Sequence, residues 1–161
     1  MSVVTPLKWA AYFLNIAEAV KLRSSCSRRQ VGAIIVKDHR ILTTGYNGTP
    51  RGIKNCNEGG CPRCAGTAAS GTELDECMCV HAETNCIANA ANAGICIDGS
   101  TMYCTLYPCK DCAKLMINAG IRDVIVVGLY SAEQVKAAEK LFFAAGVCVN
   151  GKCHKQEEHR D

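Results

Sequence analysis

The amino-acid sequence predicts an α/β domain built on a covered, partly parallel sheet, and three observations carry that prediction. Strand-like and helix-like segments alternate along most of the 161 residues, the arrangement that buries a sheet under helices. Residues 123–127, DVIVV, form a continuous apolar run, as expected of a strand covered on both faces. Helix signals punctuate the pattern: a capping box at Ser131-Ala132-Glu133-Gln134 and a candidate left-handed cap at Gly120.

The elements follow in order. Leu7, Ala10, Ala11, Leu14 and Ala17 recur at helical spacing behind Thr5-Pro6, an N-cap followed by a first-turn proline. Residues 30–36 (QVGAIIV) and 41–45 read as a strand pair broken by the polar turn Lys37-Asp38-His39-Arg40. A long loop crowded with Gly and Cys occupies residues 46–80, and a loop of that length demands a function or an ordering metal. Residues 84–93 are alanine-rich and helix-prone, and residues 101–106 read as a short strand. Pro108 opens a helix that ends near Gly120, and Ala132, Val135, Ala138, Leu141, Phe142 and Ala145 keep helical period up to Gly146. Residues 147–149 add a last strand, and the polar tail from Asn150 is expected to fray. With no internal repeat and no linker, residues 1–161 read as a single domain.

Hydrophobic residues make up 48% and charged residues 20% of the chain, the balance of a globular protein. A net charge of +3 is too small to argue for nucleic-acid binding. No apolar run approaches the ~18–20 residues that span a bilayer. Lys8, Glu18 and Lys21 fall in the first helical pattern, unlike the core of a signal peptide. The expectation is a soluble, cytoplasmic protein. Thirteen cysteines is then an anomaly. The number is odd and no secretory signal is seen, so the sulfurs read as metal ligands or small buried residues rather than a disulfide framework.

The chemistry concentrates in His81-Ala82-Glu83 and Pro108-Cys109-Lys110-Asp111-Cys112. Cys109 and Cys112 lie three apart at a helix start, so both sulfurs face one side, and the helix N-terminus favours their thiolate form. With His81 they supply three protein ligands and leave a fourth tetrahedral position open, as a catalytic zinc requires. Glu83 stands two residues past the histidine, where a carboxylate can reach a water and a reacting ring without touching the metal. A lone CxxC is often a structural zinc or redox pair, and a lone HxE arises by chance. Their joint occurrence, with Pro108 and the helix-start context, matches a described nucleobase-deaminase signature.

These residues carry a resemblance. The chain is similar to the deoxycytidylate deaminases of the cytidine-deaminase superfamily from about Leu7 to Val149. The supporting segments are QVGA (30–33), GYNGTP (45–50), HAETN (81–85), YPCKDCAK (107–114) and AGI (119–121). The resemblance implies a cytidine-deaminase-like three-layer α/β/α sandwich with a mixed five-stranded sheet, usually assembled as a hexamer. It implies hydrolysis of dCMP to dUMP, supplying thymidylate synthesis, with activation by dCTP and Mg2+ and inhibition by dTTP. Physically, GYNG after a strand offers backbone amides and a carboxamide, though Asn-Gly alone reads as a hairpin turn. The resemblance assigns Gly45, Tyr46, Asn47 and Gly48 to nucleotide binding. Arg28, Arg29, Arg51 and Lys54 are candidates for phosphate, each equally readable as a surface charge. Asn89 and Asn92 stand where phage relatives carry an aromatic residue and an arginine implicated in nucleotide response.

A second metal site is expected in the loop. Cys56, Cys61 and Cys64 (CNEGGCPRC) and Cys77 and Cys79 (CMC), with Cys26 ahead of the first strand, have spacings suited to tetrahedral zinc. Bound zinc would supply the folding free energy the loop lacks. The resemblance to a phage enzyme aligns structural-zinc ligands with Cys26, Cys56 and Cys79. The fourth is left to Cys61, Cys64 or Cys77, with Cys61 preferred, and six cysteines could hold two zincs by sharing thiolates. Cys86, Cys96, Cys104 and Cys148 sit in apolar contexts and read as small buried residues. Competing readings are a deaminase of dCTP, cytidine or tRNA adenosine, and a zinc-stabilised nucleic-acid-binding module. The last lacks a basic stripe interleaved with aromatics.

Overall fold

The structure is a computed structural model that describes residues 6–69 and 71–153. Five strands, β1 (Gly32–Lys37), β2 (Arg40–Tyr46), β3 (Thr101–Leu106), β4 (Asp123–Gly128) and β5 (Cys148–Val149), form one sheet in the order β2-β1-β3-β4-β5. β1 pairs antiparallel with β2 and β3, whereas β3–β4 and β4–β5 are parallel, so the sheet is mixed. Among the described residues five α-helices accompany it: α1 (Trp9–Lys21), α2 (Pro62–Ala65), α3 (Ala82–Ala93), α4 (Lys110–Asn118) and α5 (Ala132–Ala144).

The period of two along each strand sorts side chains into two cores. Ile34 and Val36 of β1, Tyr103 of β3 and Ile125 of β4 face Phe13 and Ala17 of α1. Ala33, Ile35, Met102, Cys104, Val124 and Val126 face the opposite way, onto Cys86, Met116 and Phe142 of α3, α4 and α5. The result is the expected α/β/α sandwich.

Boundaries differ from the sequence reading in ways that have causes. Thr5, the expected N-cap of α1, lies outside the described residues, and Lys8 takes the cap position. β1 begins at Gly32 rather than Gln30, because the segment before it is tied to Asn47 and Ser24: Val31 N–H donates to Asn47 Oδ1 at 2.7 Å and Gln30 Nε2 donates to Ser24 O at 2.9 Å. α4 starts at Lys110, not Pro108, since Cys109 is its N-cap and its sulfur accepts the Cys112 N–H.

The expected loop 46–80 is pinched at its ends by a bridge in which Gly48 and Val80 exchange both backbone hydrogen bonds, at 3.2 and 2.8 Å. Inside it only short pieces form: α2 and single 3-10 turns at Cys56–Glu58 and Leu74–Glu76. Gly60 turns the chain where a Cβ would fall 1.6 Å from Lys54 O, so only glycine fits.

Fraying does not set in at Asn150. Its side chain donates to Val126 O at 3.1 Å and accepts the Val126 N–H at 2.9 Å. Cys148, read from the sequence as a reduced buried residue, is bonded to Cys153, so at this site the disulfide-free expectation is corrected. Residues 154–161 lie outside the described set. No described helix is long and apolar enough to cross a membrane.

Candidate active site and metal centres

The sheet changes from antiparallel to parallel at β3, and the chain leaves the carboxyl ends of β3 and β4 side by side. Open α/β sheets place ligands outside such carboxyl ends. Cys109 follows β3 there as the N-cap of α4, and His81 is the N-cap of α3. Two helix N-termini therefore converge on one point, each favouring anionic ligands.

At that point His81 Nδ1 lies 3.5 Å from Cys109 Sγ and 3.3 Å from Cys112 Sγ. Sulfur at ~2.3 Å and nitrogen at ~2.0 Å from a tetrahedral zinc would stand about 3.5 Å apart, so this donor set fits the ion. The contact with the Cys112 thiol holds Cys109 down at about 4, helped by His81 and the Cys112 N–H. Cys112 is pushed up by the same contact and by burial. His81 is raised, chiefly by its contact with Cys109.

Glu83, on the first turn of α3, is 4% exposed. Burial pushes its carboxyl up to about 7, the Cys109 thiolate acts in the same direction, and His81 opposes it. A carboxyl poised near neutrality can both take and return a proton. His81, Glu83 and Cys109 line a cavity of about 770 Å³ that also holds Arg28, Arg29, Asn47, Tyr130 and Gln134, a size suited to a small ligand.

The GYNG residues divide. Asn47 lines the cavity, and its carboxamide also ties the local chain together. Oδ1 accepts from Ser24 Oγ at 2.7 Å and Val31 N, and Nδ2 donates to Arg29 O at 2.8 Å. Gly45, Tyr46 and Gly48 do not line this cavity. Gly45 lets α3 approach β2, since a Cβ would stand 2.4 Å from Ala82 O and 2.5 Å from Cys86 N. Tyr46 lies beside the Arg23 guanidinium, 5.9 Å from its ring centre. Gly48 is held in the bridge to Val80.

Of the candidate phosphate ligands, Arg28 and Arg29 reach the cavity; Arg51 and Lys54 are exposed outside it. Arg28 is occupied by backbone carbonyls, donating to Cys64 O at 3.2 Å, Gly66 O at 2.7 Å and Ala68 O. Arg29 sits 5.3 Å over the Tyr130 ring. Tyr130 was missed from the sequence. No local signal marks it, since its place in the cavity depends on the parallel pairing of β4 with β3.

The loop cysteines assemble differently from the preferred set. Cys26, Cys56 and Cys79 do come together, but Cys64 completes their group and Cys61 does not. Cys61 belongs with Cys64, Cys77 and Cys79. Cys61 is the N-cap of the short α2 turn and Cys64 lies within it, and Cys64 alone of the two also reaches Cys26 and Cys56.

Comparison with known proteins follows the same residues. The family model described as the cytidine and deoxycytidylate deaminase zinc-binding region matches residues 7–128. The chain belongs to this family.

The chain is 41% identical over 139 residues to the deoxycytidylate deaminase of Schizosaccharomyces pombe, covering 86% of this chain and 42% of that protein. It is 36% identical over 141 residues to that of Saccharomyces cerevisiae, covering 88% and 44%. The chain thus spans less than half the length of these two relatives. Among solved structures, the dCMP deaminase of cyanophage S-TIM5 in complex with dCMP and dUMP superposes with a TM-score of 0.72 at 32% identity, covering 91% of this chain and 98% of that one. The five-stranded mixed sheet is the fold of that family.

Proposed function

We propose that this chain catalyses hydrolysis of dCMP to dUMP and ammonia at the His81, Glu83, Cys109 and Cys112 site. One observation carries the reading: a buried carboxyl, poised near neutrality, stands beside a three-ligand zinc set in a nucleotide-sized cavity. The likeness to a dCMP deaminase seen with dCMP and dUMP supports the choice of substrate.

When bound, zinc supplies a Lewis acid that makes a water molecule nucleophilic near neutral pH. The residues do the rest. His81, Cys109 and Cys112 would hold the ion through one nitrogen and two sulfurs, with a fourth position left for water. Glu83 accepts the proton of the attacking water and delivers it to the ring nitrogen beside C4. It then takes the second proton from the new C4 hydroxyl and passes it to the amine, so that the C4–N bond breaks, C4 is left as a carbonyl and ammonia leaves. Arg29 offers a cation for the 5′-phosphate, and Asn47 offers its remaining N–H to the sugar.

The finer expectations belong to the same reading: supply of dUMP for thymidylate synthesis, a homohexamer, activation by dCTP with Mg2+, and inhibition by dTTP. Exposed Leu7, Trp9 and Tyr12 on and before α1 offer apolar area for assembly. Ammonia release from dCMP, dCTP, cytidine and a tRNA anticodon stem tests the substrate, and turnover of tRNA alone sinks the proposal. Titration with dCTP, Mg2+ and dTTP tests regulation, and light scattering tests assembly.

A further inference from the structure

The six loop cysteines form two overlapping tetrads. Cys26, Cys56, Cys64 and Cys79 have their sulfurs within 4.8 Å of one another, and so do Cys61, Cys64, Cys77 and Cys79. Cys64 and Cys79 belong to both groups. The geometry points to a binuclear zinc–thiolate cluster in which Cys64 and Cys79 bridge two zinc ions. Cys26 and Cys56 would complete one tetrahedron and Cys61 and Cys77 the other.

The arithmetic of ligands closes. Two four-coordinate zincs need eight sulfur positions, and six thiolates of which two bridge supply them all. Two thiolates on one zinc at ~2.3 Å stand about 3.8 Å apart, and Cys61 Sγ lies 4.0 Å from Cys77 Sγ. Six thiolates against two divalent cations leave a charge of about −2, the same as four thiolates on one zinc, so the second ion adds no net buried charge. Backbone and hydroxyl donors meet the outer sulfurs: Met78 N–H donates to Cys61 Sγ at 3.4 Å, and Ser27 Oγ lies 3.7 Å from Cys56 Sγ.

Other occupations of this cluster fit less well. None of the six is disulfide-bonded, although Cys148 and Cys153 are. The cluster buries only cysteines, so it is not a small apolar core that happens to contain sulfur. A single zinc on the first tetrad would leave Cys61 and Cys77 facing each other with nothing to hold. Pinched at Gly48 and Val80, the loop contains only one-turn helices among its described residues, with Arg28 and Arg63 bonded to its carbonyls, and two metal ions would add the order this leaves wanting.

The cluster also forms a wall of the cavity through Cys26, Cys64, Cys77 and Cys79. Cys79 stands two residues before His81, so the bridged pair sets where α3 begins.

The cluster stands independently of the deamination reading, and its test is a metal count on the full chain. Native mass spectrometry of the purified protein should give three zincs per chain, and Cys109→Ser should lower that to two without touching the cluster. Cys61→Ser should also lower it to two. Because such variants can fail to fold, the wild type exchanged into cadmium gives a second readout. Two all-sulfur cadmium resonances scalar-coupled through the bridging thiolates are expected. Two zincs per chain, uncoupled resonances, or cysteines recovered as disulfides would each overturn the cluster, whatever the enzyme does to dCMP.

Discussion

Asn47 and Val31 are joined twice: the Val31 N–H donates to Asn47 Oδ1 at 2.7 Å, and the Asn47 N–H donates to Val31 O at 3.2 Å. This clasp holds the segment entering β1 against the segment leaving β2, at the end of the sheet where the cavity opens. It makes Asn47 a scaffold residue as well as a cavity residue.

Asn47→Ala should therefore lose stability and activity together. It strands the Val31 N–H and the Arg29 carbonyl, while the Ser24 hydroxyl keeps its bond to the backbone carbonyl of residue 47, and one buried unsatisfied group costs about 1–3 kcal/mol. Urea denaturation should show a loss on the order of 2 kcal/mol or more. Asn47→Asp keeps the acceptor for Val31 and Ser24 and should lose less. Unchanged stability in both variants would assign Asn47 to ligand contact alone.

Gly45→Ala drives a methyl into the backbone of α3 at Ala82 and Cys86. Neither neighbour is a flexible side-chain end, so the helix start must shift. The expected cost is about 1–3 kcal/mol, with kcat falling because His81 and Glu83 ride on that start. A variant with normal melting temperature and normal kcat would contradict the close approach.

Glu83→Gln should retain zinc and lose at least ~10²-fold in rate, the usual scale of a general acid–base. Stability should move the other way. Burial raises the folded pKa of Glu83 from 4.5 to about 7. Below pH 4.5 the carboxyl is protonated in both states and costs nothing. As pH climbs toward 7 the unfolded chain ionises first and the folded state loses about 3 kcal/mol relative to the glutamine variant. In zinc-stripped protein, where no cation offsets the charge, thermal melts should show the variant gaining at pH 8 and not at pH 4.

Arg29→Ala should raise KM for dCMP roughly 10–100-fold, the value of one charge-assisted contact of about 1.5–3 kcal/mol. Deoxycytidine, which has no phosphate, should be affected much less. Equal effects on both substrates would make Arg29 a partner of Tyr130 rather than a phosphate ligand.

The proposed catalytic quartet was legible before any fold was known because each pair is local. His81 and Glu83 lie on one helix start, and Cys109 and Cys112 on another, where a three-residue step alone sets the facing of side chains. The strands were legible for the same reason, since a period of two survives any tertiary arrangement. Tyr130 was not legible: it enters the cavity because β4 lies parallel to β3, a pairing between segments that carry no mark of each other. Nor was the end of the ordered chain, where Asn150 clasps Val126 and Cys148 bonds Cys153.

The sequence by itself determined the α/β class and singled out His81, Cys109 and Cys112 as candidate zinc ligands and Glu83 as the candidate proton carrier, all through short-range spacing and backbone preference. Only the tertiary structure decided that Cys64 rather than Cys61 joins Cys26, Cys56 and Cys79, and that Asn47 alone of GYNG reaches the cavity. Six sulfurs spread over more than fifty residues can pair in many ways. Which sulfurs meet depends on loop paths set by Gly60, the α2 turn and the Gly48–Val80 bridge, and none of those paths is encoded in the cysteine spacing.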